Sequence, residues 1–169
     1  MILMTPHLVM RLPMPQAAPL VVGWLNDPEV VKYSEQRHKK HTVESQLDYW
    51  KSPATVEPNL VRIISLQENY AIGSISATID QHNNIANVGI LIGDKSKWGK
   101  GFGYEAWECF CNYLFFEKQI RKIEAGCMSI NGAMNRICQK FGMWPEGVRK
   151  GHFLVDGKSV DLMTFGKFR

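Results

Sequence analysis

One stretch constrains this chain more than any other: Gly89-Ile-Leu-Ile-Gly-Asp-Lys-Ser-Lys-Trp-Gly-Lys-Gly-Phe-Gly-Tyr-Glu-Ala106. Val88 to Ile92 is apolar and β-branched, which suits a strand in a sheet interior, and Gly101 to Phe116 carries long and aromatic side chains at helical spacing. The loop between them has glycine at 99, 101 and 103. Such backbone reaches φ/ψ values closed to other residues and lets a ligand come close without Cβ interference. Because the loop opens a helix, the free N–H groups of the first turn and the positive end of the helix dipole converge on one spot, an anion site. Lys97 and Lys100 add charge. A pyrophosphate suits the site, although a tight strand-to-helix turn would use the same glycines. The spacing fits neither a P-loop, which needs Lys-Ser or Lys-Thr after its glycine, nor a dinucleotide fingerprint.

At 169 residues and 45% hydrophobic, the chain predicts one domain over residues 1–169, of α/β or α+β class. A net charge of +4, spread over loops and helix ends, points to a small anionic ligand and away from nucleic acid. Cys109, Cys111, Cys127 and Cys138 form no Cys-x-x-Cys pair, so neither a metal site nor a disulfide is expected. Pro6, Arg11 and Pro13 interrupt the apolar start Met1-Ile-Leu-Met4, so no signal peptide or membrane span is expected, and the expected location is cytoplasmic.

Periodicity predicts a strand at Leu8 to Leu12, a helix from Gln16 to Leu25, a helical turn at Glu29 to Tyr33, and a polar loop from Ser34 to His41. Thr42 and Ser45 open a helix that runs to Lys51. Strands follow at Leu60 to Leu66, Ala71 to Ile79 and Ile85 to Ile92, the first two joined by a hairpin at 67–70. After the glycine-loop helix come a strand at Ile120 to Ser129 and a short helix at Asn131 to Phe141. Two strands, Val148 to Val155 and Lys158 to Phe165, flank the type I′ signal Asp156-Gly157.

This order, with Trp98-Gly-Lys-Gly-Phe-Gly-Tyr-Glu-Ala106, resembles the GNAT superfamily of acetyl-CoA-dependent N-acetyltransferases, in the branch of ribosomal-protein-alanine and amino-sugar acetyltransferases. A second motif supports it: Asn131-Gly-Ala-Met-Asn-Arg-Ile-Cys-Gln-Lys-Phe-Gly-Met143 is similar to the family's Asn-x-x-Ser … Lys-x-Gly-Phe helix. The resemblance implies a mixed α/β fold with a twisted, mostly antiparallel sheet of about seven strands, splayed at the cofactor site and flanked by about four helices. It implies that the backbone amides of Gly99, Lys100, Gly101, Phe102, Gly103 and Tyr104 hold the coenzyme A pyrophosphate, with Trp98 at the start of this cofactor loop. The strand end Ile90 to Gly93, with Leu91 and Ile92, would part from its neighbour and pair with the pantetheine arm. Asn131 would bond the pantetheine or thioester end, and Arg136 and Lys140 would reach the cofactor's phosphates. Read from the residues alone, Gly89 and Gly93 fit an ordinary bulge equally well, Asn131 a helix N-cap and the two cations a solvated surface.

The motifs also depart from the family pattern. Trp98 replaces a Gln or Arg, Met134 replaces a serine, and Cys138 stands where many members place the tyrosine that protonates the departing thiolate. A thiol with a pKa of about 8.5 can in principle protonate that thiolate, which makes Cys138 the candidate acid, against core packing or a water in that role. Glu35, His38, His41 and Glu44 are candidate bases, and Arg37, Lys39 and Lys40 could meet a phosphate; the segment Glu35, Arg37, His38, His41 is read as the acceptor site. Glu105 is assigned to the helix dipole. The resemblance implies direct transfer of acetyl from acetyl-CoA to a small-molecule or peptide amine; from composition and cysteine spacing no metal, nucleic-acid or membrane partner is expected, and a homodimer is allowed. A nucleotide-linked amino sugar is the preferred acceptor. The alternatives are a protein N-terminus, as in ribosomal-protein acetyltransferases, or a non-catalytic acetyl-CoA-binding module.

Overall fold

The apolar runs become strands of one mixed sheet, eight strands among the described residues, in the order β1-β2-β3-β4-β5-β6-β8-β7. The computed structural model describes residues 1–67 and 70–169, so the turn expected at 67–70 lies partly outside the described residues. The strands are β1 (Leu3–Met4), β2 (Leu8–Arg11), β3 (Leu60–Leu66), β4 (Ala71–Asp80), β5 (Ile85–Ile92), β6 (Lys122–Met128), β7 (Trp144–Val155) and β8 (Lys158–Phe168). All neighbours are antiparallel except β5 and β6. The strand assignments change most at the two edges of the sheet. The two-residue β1 pairs only Leu3 with Met10 and Met4 with Val9, too short a run to show a period. At the other edge, β7 starts before Pro145; an edge strand tolerates the missing N–H, and the register slips between Pro145 and Gly147.

Among the described residues four α-helices flank the sheet: α1 (Ala18–Leu25), α2 (Val43–Lys51), α3 (Phe102–Phe116) and α4 (Gly132–Lys140). The expected start of α1 at Gln16 is replaced by a 3-10 turn at Pro15–Ala17, and a second such turn, Glu35–His38, interrupts the polar loop. Thr42 caps α2 as its sequence suggests. Its hydroxyl accepts the Ser45 N–H at 3.1 Å, and the Ser45 hydroxyl accepts the Thr42 N–H at 3.0 Å.

Alternation along the strands sorts their side chains into two layers. Ile64, Ile75, Val88, Ile123 and Phe165 pack with Trp107, Phe110, Cys111 and Leu114 of α3 and Cys138 of α4. On the opposite face Ile63 packs with Val21 and Trp24 of α1, and Ala71, Leu91 and Trp50 of α2 border them. Among the described residues no helix is long and apolar enough to cross a membrane.

Candidate active site

The site begins where the sheet loses a partner. β5 pairs with β4 along its whole length, from Gly73↔Ile92 to Asp80↔Ile85. With β6 it makes only the rungs Ile85↔Lys122, Ala86↔Ile123 and Asn87↔Glu124, while β6 continues beside β8 to Met128. From Val88 onward the two strands are therefore parted, which leaves backbone donors and acceptors open to an extended ligand. The gap opens two residues before the expected Ile90. Gly89 has no steric need to be glycine, since a Cβ there would meet only Ser76 Oγ, at 3.8 Å. Gly93 does: its Cβ would stand 2.0 Å from the Trp24 ring. The N–H groups of Gly93 and Asp94 both donate to the Ile72 carbonyl, at 2.9 and 3.1 Å, which fixes the strand end.

The glycine loop follows directly. Asp94 accepts the Ser96 N–H at 2.9 Å, and Trp98 Nε1 donates to the Ile92 carbonyl at 2.8 Å, so this tryptophan pins the loop to the strand with the donor it has. Gly99 and Gly101 have φ of 71° and 88°, in the left-handed region, and no heavy atom lies within 4 Å of where their Cβ atoms would be. Their backbone therefore faces open space. The Gly101 carbonyl accepts the Glu105 N–H at 3.0 Å, and no acceptor among the described residues takes the amides from Gly99 to Tyr104. Gly103 serves packing instead, its Cβ position being 3.4 Å from Ile137 Cδ1 and 3.6 Å from Ile92 Cγ1. A pyrophosphate fits this cradle: the amides are unspent and the approach is clear of side chains.

Around it, Asn131 caps α4 by accepting the Met134 N–H at 3.1 Å, which leaves its amide NH₂ without a partner among the described residues. Lys140 lies with its ammonium 4.0 Å from the Tyr104 ring centre, and Arg136 is exposed on the same helix. Burial and then the neighbouring Glu108 push the Tyr104 phenol up to about 12. Glu105 does more than face the helix dipole. It accepts from the Thr5 hydroxyl, from the His7 N–H at 3.1 Å and from His7 Nδ1 at 3.0 Å, tying the β1–β2 turn to the start of α3. Burial raises its carboxyl, but these hydrogen bonds outweigh that and hold it below the usual range.

On the other face of the sheet, the polar loop and the β7–β8 tip enclose a cleft of about 660 Å³ lined by Lys32, Arg37, His38, Lys39, Lys40 and Leu154, among others. Arg37 is a strut there. It donates to Ser34 O at 2.9 Å and Leu154 O at 3.2 Å and pairs with Glu35 at 2.6 Å. Glu35 and His41 do not line the cleft. His41 and Asn26 exchange two hydrogen bonds, of 2.8 and 2.9 Å, that join the end of α1 to the start of α2. The sequence reading missed Lys32 and the hairpin tip, which only the tertiary fold brings to this loop. A second cleft, about 320 Å³, is lined by Asn87, Glu124, Glu146, Arg149 and Thr164 beside the closed end of the splay.

The sequence profile of the acetyltransferase (GNAT) domain matches residues 7–144. The chain belongs to the GNAT acetyltransferase family. It is 25% identical over 170 residues to the Bacillus licheniformis protein named "Uncharacterized N-acetyltransferase p20", covering 96% of this chain and 93% of that one. Solved structures share the fold, among them two bound to coenzyme A or acetyl-CoA. RimL, a ribosomal L7/L12 α-N-protein acetyltransferase in complex with coenzyme A, superposes with a TM-score of 0.88 at 17% identity, covering 99% of this chain and 98% of RimL. MccE, a microcin C7 self-immunity acetyltransferase in complex with acetyl-CoA and AMP, gives 0.82 at 17% identity, with coverage of 98% and 94%.

At the position expected for the acid stands Cys138. Cys138 is fully buried in the main core, and burial, with Cys127 nearby, pushes its thiol up to about 12. A residue with no surface cannot hand a proton to a ligand, so the structure places Cys138 among packing residues. Met134 is half-buried against the same core. Among the described residues no three His, Cys, Asp or Glu side chains converge as metal ligands.

Proposed function

We propose that this GNAT enzyme transfers acetyl from acetyl-CoA to the primary amine of an acceptor that also carries an anionic group, with a nucleotide-linked amino sugar as the best fit. Acetyl-CoA supplies an activated thioester carbonyl. The unspent amides from Gly99 to Tyr104 hold its pyrophosphate, with Trp98 bracing the loop and Arg136 and Lys140 at the rim. The parted edge of β5 around Ile92, short of Gly93 whose N–H is already spent on Ile72, pairs with the pantetheine arm, Asn131 donates to its far end, and an N–H of that edge polarises the carbonyl. The amine then attacks directly in a ternary complex, with no covalent enzyme intermediate.

The basic cleft carries the acceptor assignment. Lys32, Lys39, Lys40 and His38 line it, and Arg37, Glu35 and His41 hold the loop that forms its wall. Such a wall attracts phosphate and repels a polyamine. The AMP in the complex of MccE, which shares this fold, supports a nucleotide-bearing acceptor. The experiment is thiol release from acetyl-CoA with nucleoside-diphosphate amino sugars, N-terminal peptides and spermidine. Turnover confined to the amino sugars is expected, and turnover on peptides alone rejects it in favour of the RimL-like reading. Acetyl-CoA binding without turnover on any amine would favour a non-catalytic module, the reading that the buried Cys138 encourages.

A further inference from the structure

Acetyl transfer leaves the acceptor's proton to be accounted for. A primary amine is an ammonium at neutral pH and has no lone pair for attack until a proton leaves. The side chains that the sequence suggests for this work lie elsewhere: Glu35 turns to Arg37, His38 lines the basic cleft, His41 sits at the α1–α2 junction, and Glu44 is exposed in the first turn of α2.

Glu124 stands at the splay. Asn87↔Glu124 is the last parallel rung, so the carboxylate marks the point where the strands part. Ile123, Ala125 and Cys127 point into the main core with α3, so alternation puts Lys122, Glu124 and Gly126 on the opposite face. That is the face on which α1 packs and the basic cleft opens. Lys122 Nζ bridges Glu124 Oε1 at 2.8 Å and Glu146 Oε2 at 2.9 Å, which fixes the carboxylate. Its second oxygen has no partner among the described residues, and the side chain is 35% exposed in the wall of the 320 Å³ cleft.

We propose that Glu124 is the proton acceptor of the reaction, an assignment that rests on the acetyl-transfer reading above. The proton passes from the ammonium to the Glu124 carboxylate, directly or through one water held beside Asn87. The freed lone pair forms the C–N bond to the acetyl carbon, and the C–S bond breaks. Sulfur leaves as thiolate and takes a proton from solvent, to which Glu124 returns the one it accepted. The charged groups around Glu124 are Lys122 on its own strand and Glu146 and Arg149 from β7, and β5 contributes the neutral Asn87.

The test is the pH dependence of thiol release by wild type, E124Q, E124D and E146Q, using the most active amine of the panel above, with acetyl-CoA-dependent thermal shifts in parallel. In E124Q, kcat falls about 10²-fold, the acetyl-CoA shift is unchanged, and the pH profile moves up toward the ionisation of the amine itself. E124D recovers part of kcat. Wild-type kcat and profile in E124Q overturn the assignment. So does an equal loss in E124Q and E146Q with no change of profile, which would reduce Glu124 to a brace for Lys122. A wild type that releases no thiol with any amine removes the acetyl-transfer reading, and this assignment with it.

Discussion

The indole of Trp24 occupies the space that a side chain on Gly93 would need, with a ring atom 2.0 Å from the missing Cβ. This contact seats the last turn of α1 on the end of β5, so the loop that leaves α1 starts beside the parted strands. Lys95, just before the glycine loop, reinforces the link by pairing with Asp27 and Glu29 of that loop, each at 2.9 Å. Acceptor wall and cofactor cradle are thus built on one junction.

Gly93→Ala tests that junction. The methyl group must displace a buried ring, an overpacking that costs about 1–3 kcal/mol, read as a lower urea midpoint with an unchanged slope. Gly89→Ala, whose Cβ meets only ordinary contact, stays near the wild-type midpoint.

Trp98→Phe keeps an aromatic ring and removes the Nε1 bond to Ile92. The expected result is a loss of about 0.5–1.5 kcal/mol in stability and a higher KM for acetyl-CoA, measured by urea unfolding and steady-state kinetics.

Cys138→Ala separates packing from proton transfer. Stability falls by about 1–2 kcal/mol through the lost sulfur volume, while kcat stays within about threefold of wild type across pH 7–9. A kcat lower by about 10²-fold would restore the thiol as general acid.

The Glu105 clamp gives a pH signature. Its folded carboxyl is held below the ordinary value of 4.5, so its contribution is complete above that value and is lost as pH falls through the folded one. Urea unfolding of wild type and Glu105→Gln from pH 3 to 7 is expected to show a constant gap at the upper end that closes on acidification.

Much of this was legible because its causes are local. The glycines at 99 and 101, the Asn131 cap, the Thr42–Ser45 capping box and the strand from Ile85 to Ile92 each follow from a few adjacent residues, and two motifs one strand apart carried the family. Long-range contacts were not legible. Nothing near Arg37 announces that its guanidinium is spent on Leu154, nothing near Lys32 places it across from the hairpin tip, and Glu124 reads as an ordinary strand residue until its rung proves to be the last. Cys138 illustrates the reverse: a motif position suggested chemistry, and helix packing gave the side chain to the core.

Cofactor binding here depends on bare backbone at the start of α3 gripping the phosphates. Thermal denaturation of wild type and Gly101→Trp, each with and without coenzyme A, tests it most directly, because a ligand that binds the folded state raises its stability by RT ln(1 + [L]/Kd). A coenzyme A-dependent rise in Tm is expected for wild type and none for a Gly101→Trp variant that still melts cooperatively. An equal rise in both proteins, or none in wild type, would contradict it.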